Sequence, residues 1–294
     1  MTLRELELLG HIYQRSKGLS GLGDIVVGPG DDCAVVHTGS GLLAIGVDQL
    51  VEGRHFTSDT SIDLIARKAI ARSISDLAAM GATPAWGLAT ATLPESYTQA
   101  DELFDRMAHW AKHWGAPLIG GDIAASHGPV VLSVTAAGSI SGRPVLRSGA
   151  QAGDSVFVTG AIGGSFESGR HLTFEPRLDE GREAADRANA MIDISDGLGL
   201  DATRMAEASG VMLEIDIASV PLHPSAGTWR EAVAAGEDHE LLICGPKDLG
   251  IGAQIGGVRT VEPGESPGAW FIDGATRLNA KSMGWEHGSP EVSG

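Results

Sequence analysis

Aspartates beside glycines occur at four widely separated places in this chain. They are Gly30-Asp31-Asp32, Asp76 shortly before Met80-Gly81, Gly120-Gly121-Asp122 and Asp193-Ile194-Ser195-Asp196-Gly197. Each segment ends a predicted strand or helix, so its carboxylate projects from a turn where backbone and ligand can approach closely. Carboxylates gathered at one place repel one another unless cations neutralise them, and oxygen ligands favour Mg²⁺ over zinc. Because such a Mg²⁺ ion keeps waters and substrate phosphates in its remaining positions, the pattern predicts a phosphoryl-transfer site.

The elements that would position these aspartates alternate between helices and strands. Apolar residues at three- and four-residue steps predict helices, and short β-branched runs bounded by turn residues predict strands. We therefore expect helices at 3–14, 62–79, 97–114 and 195–210, and strands at 24–27, 42–47, 117–119, 130–136, 155–159, 211–215 and 241–244. The helix over 62–79 would hold Asp76 near its end, and Gly81 would cap it.

Two of the predicted helices begin at residues typical of a capping box. Thr60 and Asp63 stand at the start of one helix, and Thr98 and Asp101 at the start of the next. Gly142-Arg143-Pro144 interrupts the pattern, so we expect a domain boundary there, with domains at 1–142 and 143–294. The mixture of elements predicts an α/β (α+β) fold with mixed sheets flanked by helices.

Composition indicates a globular enzyme and excludes several other classes. The 294 residues, 43% of them hydrophobic, can bury a large core, and the length suggests about two domains. No apolar run approaches the roughly 20 residues of a membrane helix, so we expect no membrane partner and a cytoplasmic location. Cys33 and Cys244 lack metal-ligand spacing and fit a reducing compartment. The net charge of −17 argues against a nucleic-acid partner.

The ordered set of motifs resembles a known enzyme family. In chain order the motifs are Gly30-Asp31-Asp32-Cys33-Ala34-Val35, Asp48 with Val51-Glu52-Gly53-Arg54-His55-Phe56, Ser75-Asp76-Leu77-Ala78-Ala79-Met80-Gly81-Ala82, Gly120-Gly121-Asp122, Arg147-Ser148-Gly149-Ala150, Ile192-Asp193-Ile194-Ser195-Asp196-Gly197-Leu198 and Gly236-Glu237-Asp238-His239-Glu240-Leu241. This succession closely resembles the thiamine-monophosphate kinase family over roughly residues 28–241. The resemblance implies a two-domain fold like that of aminoimidazole ribonucleotide synthetase, and a homodimer paired through the N-terminal domains.

The resemblance also implies an activity and the residues that serve it. The reaction is phosphorylation of thiamine monophosphate by ATP, with several Mg²⁺ ions as cofactors. The implied metal ligands are Asp32, Asp48, Asp76, Asp122, Asp193 and Asp196, with the backbone of Gly46 and Val47 beside them. The implied ATP contacts are Gly121, Asp122, Arg147 and Ser195. The residues implied near the thiamine phosphate are His55, Glu237, Asp238 and Trp285.

The chemistry of the residues agrees with such a reaction. A phosphate monoester has a second pKa near ~6, so an acceptor phosphate is already anionic at neutral pH and needs no covalent nucleophile on the protein. The difficulty is Coulombic, because two polyanions must be brought into line, and this calls for metal ions and positioning. No Walker A loop exists here. Arg147 suits a phosphate clamp because its planar fork can bind two oxygens.

The chain departs from the family pattern at four places. Gly46 and Val47 precede Asp48 where the family usually has Ser or Thr, Ile123 follows Asp122 in place of Thr, and His239 replaces a tyrosine. The segment 160–192 is shorter than usual by roughly a helix. These departures leave two alternatives open: an ATP-dependent relative with another small oxygen acceptor, and a catalytically inactive protein that binds divalent metal.

Overall fold

The computed structural model describes residues 5–16 and 18–284. Within these residues the chain forms two mixed β-sheets flanked by helices, which confirms the expected α/β fold class. The sheets use separate parts of the chain, with strands at 25–140 in the first and 155–279 in the second. The division into domains at 142/143 stays a prediction, because Leu146, Leu172 and Phe174 from beyond it pack against the core of the first sheet.

The first sheet has six strands in the spatial order β1-β2-β3-β6-β4-β5. They are β1 (Ile25–Val27), β2 (Ala34–Thr38), β3 (Gly41–Val51), β4 (Thr83–Pro94), β5 (Leu118–Ser126) and β6 (Val131–Ile140). β3 pairs with β2 only as far as Ile45, whereas it pairs with β6 along its whole length. The strand around Asp48 therefore has one side free of β2, facing the loop that carries Asp31 and Asp32.

The second sheet has seven strands in the order β13-β12-β9-β11-β7-β10-β8. They are β7 (Ser155–Val158), β8 (Ala190–Asp193), β9 (Met212–Asp216), β10 (Leu241–Gly245), β11 (Ala253–Arg259), β12 (Gly268–Asp273) and β13 (Thr276–Asn279). Asp193, at the end of β8, lies opposite Leu241, at the start of β10. This register brings the loop after β8 and the loop before β10 to one edge of the sheet.

The described part of the chain also contains six α-helices. They are α1 (Glu5–Arg15), α2 (Ile62–Ala79), α3 (Ala100–His113), α4 (Leu178–Ala185), α5 (Leu198–Ser209) and α6 (Trp229–Ala234). α2 covers the first sheet and also contacts α3, α4 and β8. Because it touches both sheets, α2 is buried nearly all round and can carry side chains into the space between them. No helix of the described residues is long and apolar enough to cross a membrane.

At the C-terminal end of α2 the prediction is confirmed, and at the N-terminal end it is wrong. Gly81 has φ +65 and its N–H donates to the Ala78 carbonyl at 3.0 Å, as expected of a capping glycine. The capping box of Thr60 and Asp63 is absent, since the N-cap is Ser61 without a side-chain bond. Thr60 Oγ1 instead accepts from the Thr57 N–H at 3.2 Å, and Asp63 accepts from the Trp110 indole.

The second capping box is wrong in the same way, because α3 begins after Gln99 and has no side-chain cap. The sequence reading also missed β2, β4, β8, α4 and α6, together with the three strands of the glycine-rich stretch from 253 to 279. β4 illustrates the reason. Its core-facing positions are Ala89, Ala91 and Leu93, and two of these three are alanines, which give only a weak alternating signal.

Candidate active site

Four aspartates lie around the C-terminal end of α2, and they come from both sheets, from a loop and from α2 itself. Asp76 lies in the last turn of α2, Asp48 on β3, Asp32 in the loop before β2 and Asp193 at the end of β8. Burial, followed by the charges of Asp48, Asp193 and Asp32, raises the pKa of Asp76 well above its usual range. We call these four residues the carboxylate cluster. Its members repel one another, as expected of a site that is short of cations.

One of the two carboxylate oxygens of Asp32 pairs with a cation, the guanidinium of Arg147. The Arg147 guanidinium donates to Asp32 Oδ1 at 2.7 Å, and the Arg147 backbone N–H donates to both oxygens of Asp31 at 3.2 Å. Asp32 Oδ2 is buried and has no hydrogen-bond partner among the described residues. Burial, which outweighs the attraction of Arg147, raises the pKa of Asp32 well above its usual range.

Asp193 is held by hydrogen bonds from two directions. The Ser75 hydroxyl donates to Asp193 Oδ2 at 2.8 Å, and His239 Nδ1 lies 3.2 Å from the same oxygen. Burial alone would raise the pKa of Asp193, but the contacts with His239 and Ser75 bring it below its usual value. Ser75 and Asp76 are neighbours on α2, so the helix positions two members of the carboxylate cluster at once.

The residues before Asp48 point to opposite faces of β3. Gly46 faces inward, where an added Cβ would lie 3.2 Å from Asp76 Oδ2 and 3.0 Å from Cys33 Sγ. A serine or threonine at position 46 would therefore crowd the carboxylate of Asp76. Val47 faces outward and its side chain is exposed. Whether either backbone carbonyl binds metal stays a prediction.

Asp196 and Ser195 form a separate group at the start of α5. Asp201 Oδ2 accepts from both backbone N–H groups, at 3.1 Å from Ser195 N and 2.9 Å from Asp196 N. Arg204 donates to Asp196 Oδ2 at 2.5 Å and to Asp201 Oδ1 at 2.7 Å. Asp196 is therefore paired with Arg204 in this structure. Its predicted role as a metal ligand would require its carboxylate to bind the metal as well as Arg204.

Gly121 and Asp122 lie apart from the carboxylate cluster. They sit on β5, at the edge of the first sheet, and two strands separate β5 from the β3 strand of Asp48. At about 4.8 Å per strand, the two backbones are about 14 Å apart. Both residues line a cavity of ≈ 580 Å³ together with Phe104. Gly121 is also required by packing, since an added Cβ would lie 1.8 Å from the Ala89 carbonyl oxygen.

One of the predicted acceptor residues, Glu237, lies in a buried network of charged side chains. The Glu237 carboxylate accepts from Arg72 at 2.6 Å, and its other oxygen lies 3.0 Å from Lys68 Nζ and 3.2 Å from His239 Nε2. Lys68 Nζ also donates to the His55 carbonyl at 2.8 Å. We call Lys68, Arg72, Glu237 and His239 the Glu237 network. It lies directly beside the carboxylate cluster, since His239 and Arg72 also contact Asp193 and Asp48.

His55 and Asp238 are engaged within the protein itself. His55 is buried, and its Nδ1 accepts from the Val51 N–H at 2.9 Å. The Asp238 carboxylate is buried and accepts from the Gly163 N–H, the Ser165 hydroxyl and Arg170. The structure therefore places Asp238 in the wall of the site rather than at its surface. The direct substrate contacts of both residues remain predictions, and Trp285 lies outside the described residues.

The sequence reading missed three cations of the site: Lys68, Arg72 and a charged His239. Burial lowers the pKa of Lys68 to about 8, against the attraction of Glu237. Burial would also lower the pKa of His239, but hydrogen bonds to Asp193 and Glu237 raise it to about 9. A signal was present for the first two, because Lys68, Arg72 and Asp76 recur every four residues along a helix with apolar neighbours.

The loop that carries Glu237 and His239 is strained. Glu237 has φ +66 and His239 has φ +50, and they are the non-glycine residues with positive φ in the described part of the chain. Such conformations cost on the order of 1–2 kcal/mol each for residues with a Cβ. The loop is held by hydrogen bonds from Glu237 N to the Ser195 carbonyl and from His239 N to the Ile194 carbonyl. Strain retained in this way is typical of functional sites.

An aromatic side chain stands beside this network, in the shortened segment. Phe166 is 49% exposed, its ring centroid lies 4.4 Å from that of His171, and Lys68 Nζ lies 5.7 Å from its ring. His171 Nδ1 is 3.0 Å from Lys68 Nζ. Phe166 therefore offers a ring face to solvent next to the predicted acceptor residues. No sequence motif indicated it.

Comparison with known proteins decides the family. Residues 30–140 match the family model described as "AIR synthase related protein, N-terminal domain". The thiamine-monophosphate kinase of Rhodopirellula baltica is 35% identical over 84% of this chain and 84% of its own length. The chain belongs to the thiamine-monophosphate kinase family. The Mycobacterium tuberculosis member is 36% identical over 85% of this chain and 84% of its own.

A solved structure of this family matches the whole fold. AaThiL complexed with AMPPCP and TMP superposes with a TM-score of 0.82 at 30% identity, over 98% of this chain and 99% of that one. The expected aminoimidazole-ribonucleotide-synthetase-like fold and the expected enzyme class, a phosphotransferase, are therefore confirmed. The shortened segment does not remove the chain from the family, since the kinases match it over more than four-fifths of its length.

The residues present fit the divalent cations that the family implies. The carboxylate cluster offers oxygen ligands, one of them the buried and unpartnered Asp32 Oδ2. Among the described residues, no three carboxylate, imidazole or thiol groups are arranged to enclose an ion by themselves. A cation here would therefore take part of its coordination from water and ligand phosphates, which is the usual behaviour of Mg²⁺.

Proposed function

We propose that this protein transfers the γ-phosphate of ATP to thiamine monophosphate, giving thiamine diphosphate and ADP. The observation that carries the proposal is the near-complete match to AaThiL complexed with AMPPCP and TMP, an ATP analogue and the acceptor. The curated relatives carry the same activity in their name. The carboxylate cluster and the Glu237 network, side by side, supply the two charge environments that the two substrates need.

The transfer is direct, without a phosphorylated protein intermediate. The acceptor phosphate is an anion at neutral pH and can attack without a base on the protein. The cysteine beside the carboxylate cluster is not activated as a nucleophile, because burial raises the pKa of the Cys33 thiol well above its usual range and keeps it protonated. The work of the site is to hold two anions close together and in line.

Magnesium is the cation that we propose for the carboxylate cluster. Asp32, Asp48, Asp76 and Asp193 would hold it, with Asp196 available on the other side of the loop after β8. Bound there, Mg²⁺ would supply positive charge between the phosphates. Arg147 already lies on Asp31 and Asp32, and its guanidinium is placed to clamp a phosphate that approaches this cluster.

We also propose that the protein is a homodimer paired through the first sheet. The face of this sheet opposite α2 carries apolar side chains that are exposed in the single chain: Val47 (63%), Ile119 (65%) and Leu88 (36%). Large apolar residues grouped on an exposed sheet are typical of an interface. A second copy of this chain is the partner that the family resemblance implies.

The position of Asp122 supports the same assembly. With about 14 Å between β3 and β5, Asp48 and Asp122 of one chain cannot bind the same ion, since an Mg–O bond spans only about 2.1 Å. Asp122 sits at the exposed edge of the sheet that we assign to the interface. We therefore assign to each site Asp48 from one protomer and Asp122 from its partner.

Labelled ATP tests the reaction. Incubation with γ-labelled ATP, Mg²⁺, thiamine monophosphate and free thiamine should place the label on thiamine diphosphate alone. Free thiamine should be a poor acceptor, because its neutral hydroxyl would need a base. Label on thiamine only, or on the protein, would overturn direct transfer to a phosphate. ATP consumption without label on either acceptor would favour another small-molecule acceptor.

Subunit mixing tests the shared site. D48N and D122N homodimers should each be inactive, and a mixture unfolded and refolded together should regain about a quarter of wild-type activity. Half of its dimers carry both variants, and each of these holds one site in which both aspartates are intact. If Asp48 and Asp122 act within one chain, every site lacks one of them and the mixture stays inactive. Sedimentation analysis of the same samples reports the dimer directly.

A further inference from the structure

Arg72 lies between the two charge environments of the site. Its guanidinium reaches Glu237 Oε1 at 2.6 Å on one side and Asp48 Oδ1 at 3.5 Å on the other. The side chain is largely buried, and its Nε has no hydrogen-bond partner among the described residues. Arg72 is therefore a buried cation whose donors are only partly used, and it is in contact with a residue that we assign to metal binding.

The charges that surround Arg72 are mostly negative. Asp48, Glu237, Asp76 and Asp193 all stabilise its charged form, in that order, against the cost of burial. Lys68 is a cation close enough for mutual repulsion, and His239 contacts the same Glu237 carboxylate. The other arginines of the site lie on other carboxylates, Arg147 on Asp32 and Arg204 on Asp196. Asp48 thus takes its positive partner from α2.

We propose that Arg72 is a built-in counter-ion of the metal site, which offsets part of the charge of Asp48 and Asp76 before Mg²⁺ arrives and then competes with Mg²⁺ for Asp48. This inference rests on the proposed metal site. It follows from Coulomb's law, because a guanidinium and a divalent cation drawn to one carboxylate repel each other. When Mg²⁺ takes Asp48, Arg72 keeps its shorter bond to Glu237. Arg72 is then a positioning residue that ties Glu237 to the metal side of the site.

Gly46 fits the same arrangement. Because it has no side chain, it offers Mg²⁺ no side-chain ligand beside Asp48, and it leaves room for the Asp76 carboxylate. A site with fewer ligands for the cation and a permanent charge on α2 should fold without metal and bind Mg²⁺ less tightly than the bare carboxylates would.

The test is the Mg²⁺ dependence of folding in the absence of nucleotide. R72M removes the charge and keeps most of the side-chain volume. Its melting temperature in EDTA should be below that of the wild type, because the carboxylates then repel without relief. Mg²⁺ should raise it more than it raises the wild type, with a half-saturating concentration lower by at least about tenfold, the scale of one nearby charge. Mn²⁺ binding followed by electron paramagnetic resonance should show the same tenfold tightening.

Two variants separate charge from packing. R72K keeps a cation and should retain the wild-type Mg²⁺ dependence. R67M removes another ion-paired arginine of the same helix, whose partner is Glu175 at 2.9 Å, away from the carboxylate cluster. It should lower the melting temperature without changing the Mg²⁺ concentration that is needed. If R72M does not fold, R72Q, which keeps two N–H donors for Glu237, gives the same comparison.

A failure of the role proposed for Arg72 can be distinguished from a failure of the proposed metal site. If wild type and R72M respond to the same Mg²⁺ concentration, or R72M needs more, the role of Arg72 is overturned while the metal site stands. If Mg²⁺ raises the melting temperature of neither protein and Mn²⁺ binds to neither, the metal site itself is overturned and this inference with it.

Discussion

Around Asp76 the carboxylates outnumber the cations that contact them, whereas around Glu237 one carboxylate is met by Lys68, Arg72 and His239. In the carboxylate cluster, burial and then the neighbouring carboxylates raise the pKa of Asp32 and Asp76, while the Glu237 network lowers the pKa of Glu237 well below its usual range. For Glu237, burial would raise the pKa, and the cations overcome it. The carboxylate cluster therefore keeps negative charge that a bound cation could neutralise, whereas the Glu237 carboxylate is already neutralised by cations of the protein. The first is suited to metal and nucleotide, the second to holding a fixed shape.

The largest effect that this comparison predicts is on turnover. D76N should reduce kcat by at least ~10²-fold, the scale expected when one charge-stabilising group is lost. Its melting temperature should stay the same or rise, because a neutral amide removes repulsion from Asp48, Asp32 and Asp193. Steady-state kinetics and thermal unfolding of the same preparation measure both. The exposed D105N on α3 serves as a control, and wild-type turnover in D76N would remove Asp76 from the site.

The Glu237 network should respond in the opposite way. K68M removes a fully buried cation that contacts Glu237, His171 and the His55 carbonyl. Because Glu237 then loses one of its compensating charges inside the protein, we expect about 3 kcal/mol of destabilisation. Urea unfolding measures it, with the exposed K112M as the matched control. Equal stability of K68M and K112M would mean that this region is not neutralised by Lys68, and the contrast with Asp76 would disappear.

The smallest predicted effect lies where the Glu237 network opens to solvent. F166A should raise the KM for thiamine monophosphate by about 2- to 5-fold, the size of an exposed cation–π contact with the thiazolium ring. The KM for ATP and the melting temperature should not change, since Phe166 is half-exposed. F166W should restore the lower KM, and L222A, another exposed apolar residue, should leave it unaltered. A larger effect on the KM for ATP would place Phe166 on the nucleotide side.

The same contrast governs what could be predicted from sequence. The carboxylates stand at turns beside glycines, where local sequence marks them, and the ordered motifs named the family. The structure brings Asp32, Asp48, Asp76 and Asp193 together as the motifs implied. The cations of the Glu237 network stand inside α2 and a strained loop, so their partners depend on long-range packing. For example, Lys68 meets Glu237 across 169 positions of sequence, and no local pattern encodes that contact.

Capping and sheet edges show another limit of the sequence reading. Thr60 and Asp63 have the residue types of a capping box, but each finds a better partner in the folded chain. Asp122 follows the motif order of the other aspartates, yet sheet order places it on β5, with two strands between it and β3. Motif order predicts which residues belong to a site, whereas the fold, together with the homodimer that we propose, decides which copy of each residue serves it.

The two left-handed residues, Glu237 and His239, bear on how this enzyme could be redesigned. Glycine at either position would relieve the unfavourable backbone conformation, although it would also lose more conformational entropy on folding. Either replacement would also remove contacts with Lys68, Arg72 or Asp193 and leave buried charges unpaired, which costs about 3 kcal/mol and outweighs the relieved strain. A laboratory lineage selected for heat resistance should accordingly keep both left-handed residues, and sequencing its survivors would show whether the strained loop is retained for the contacts that it makes.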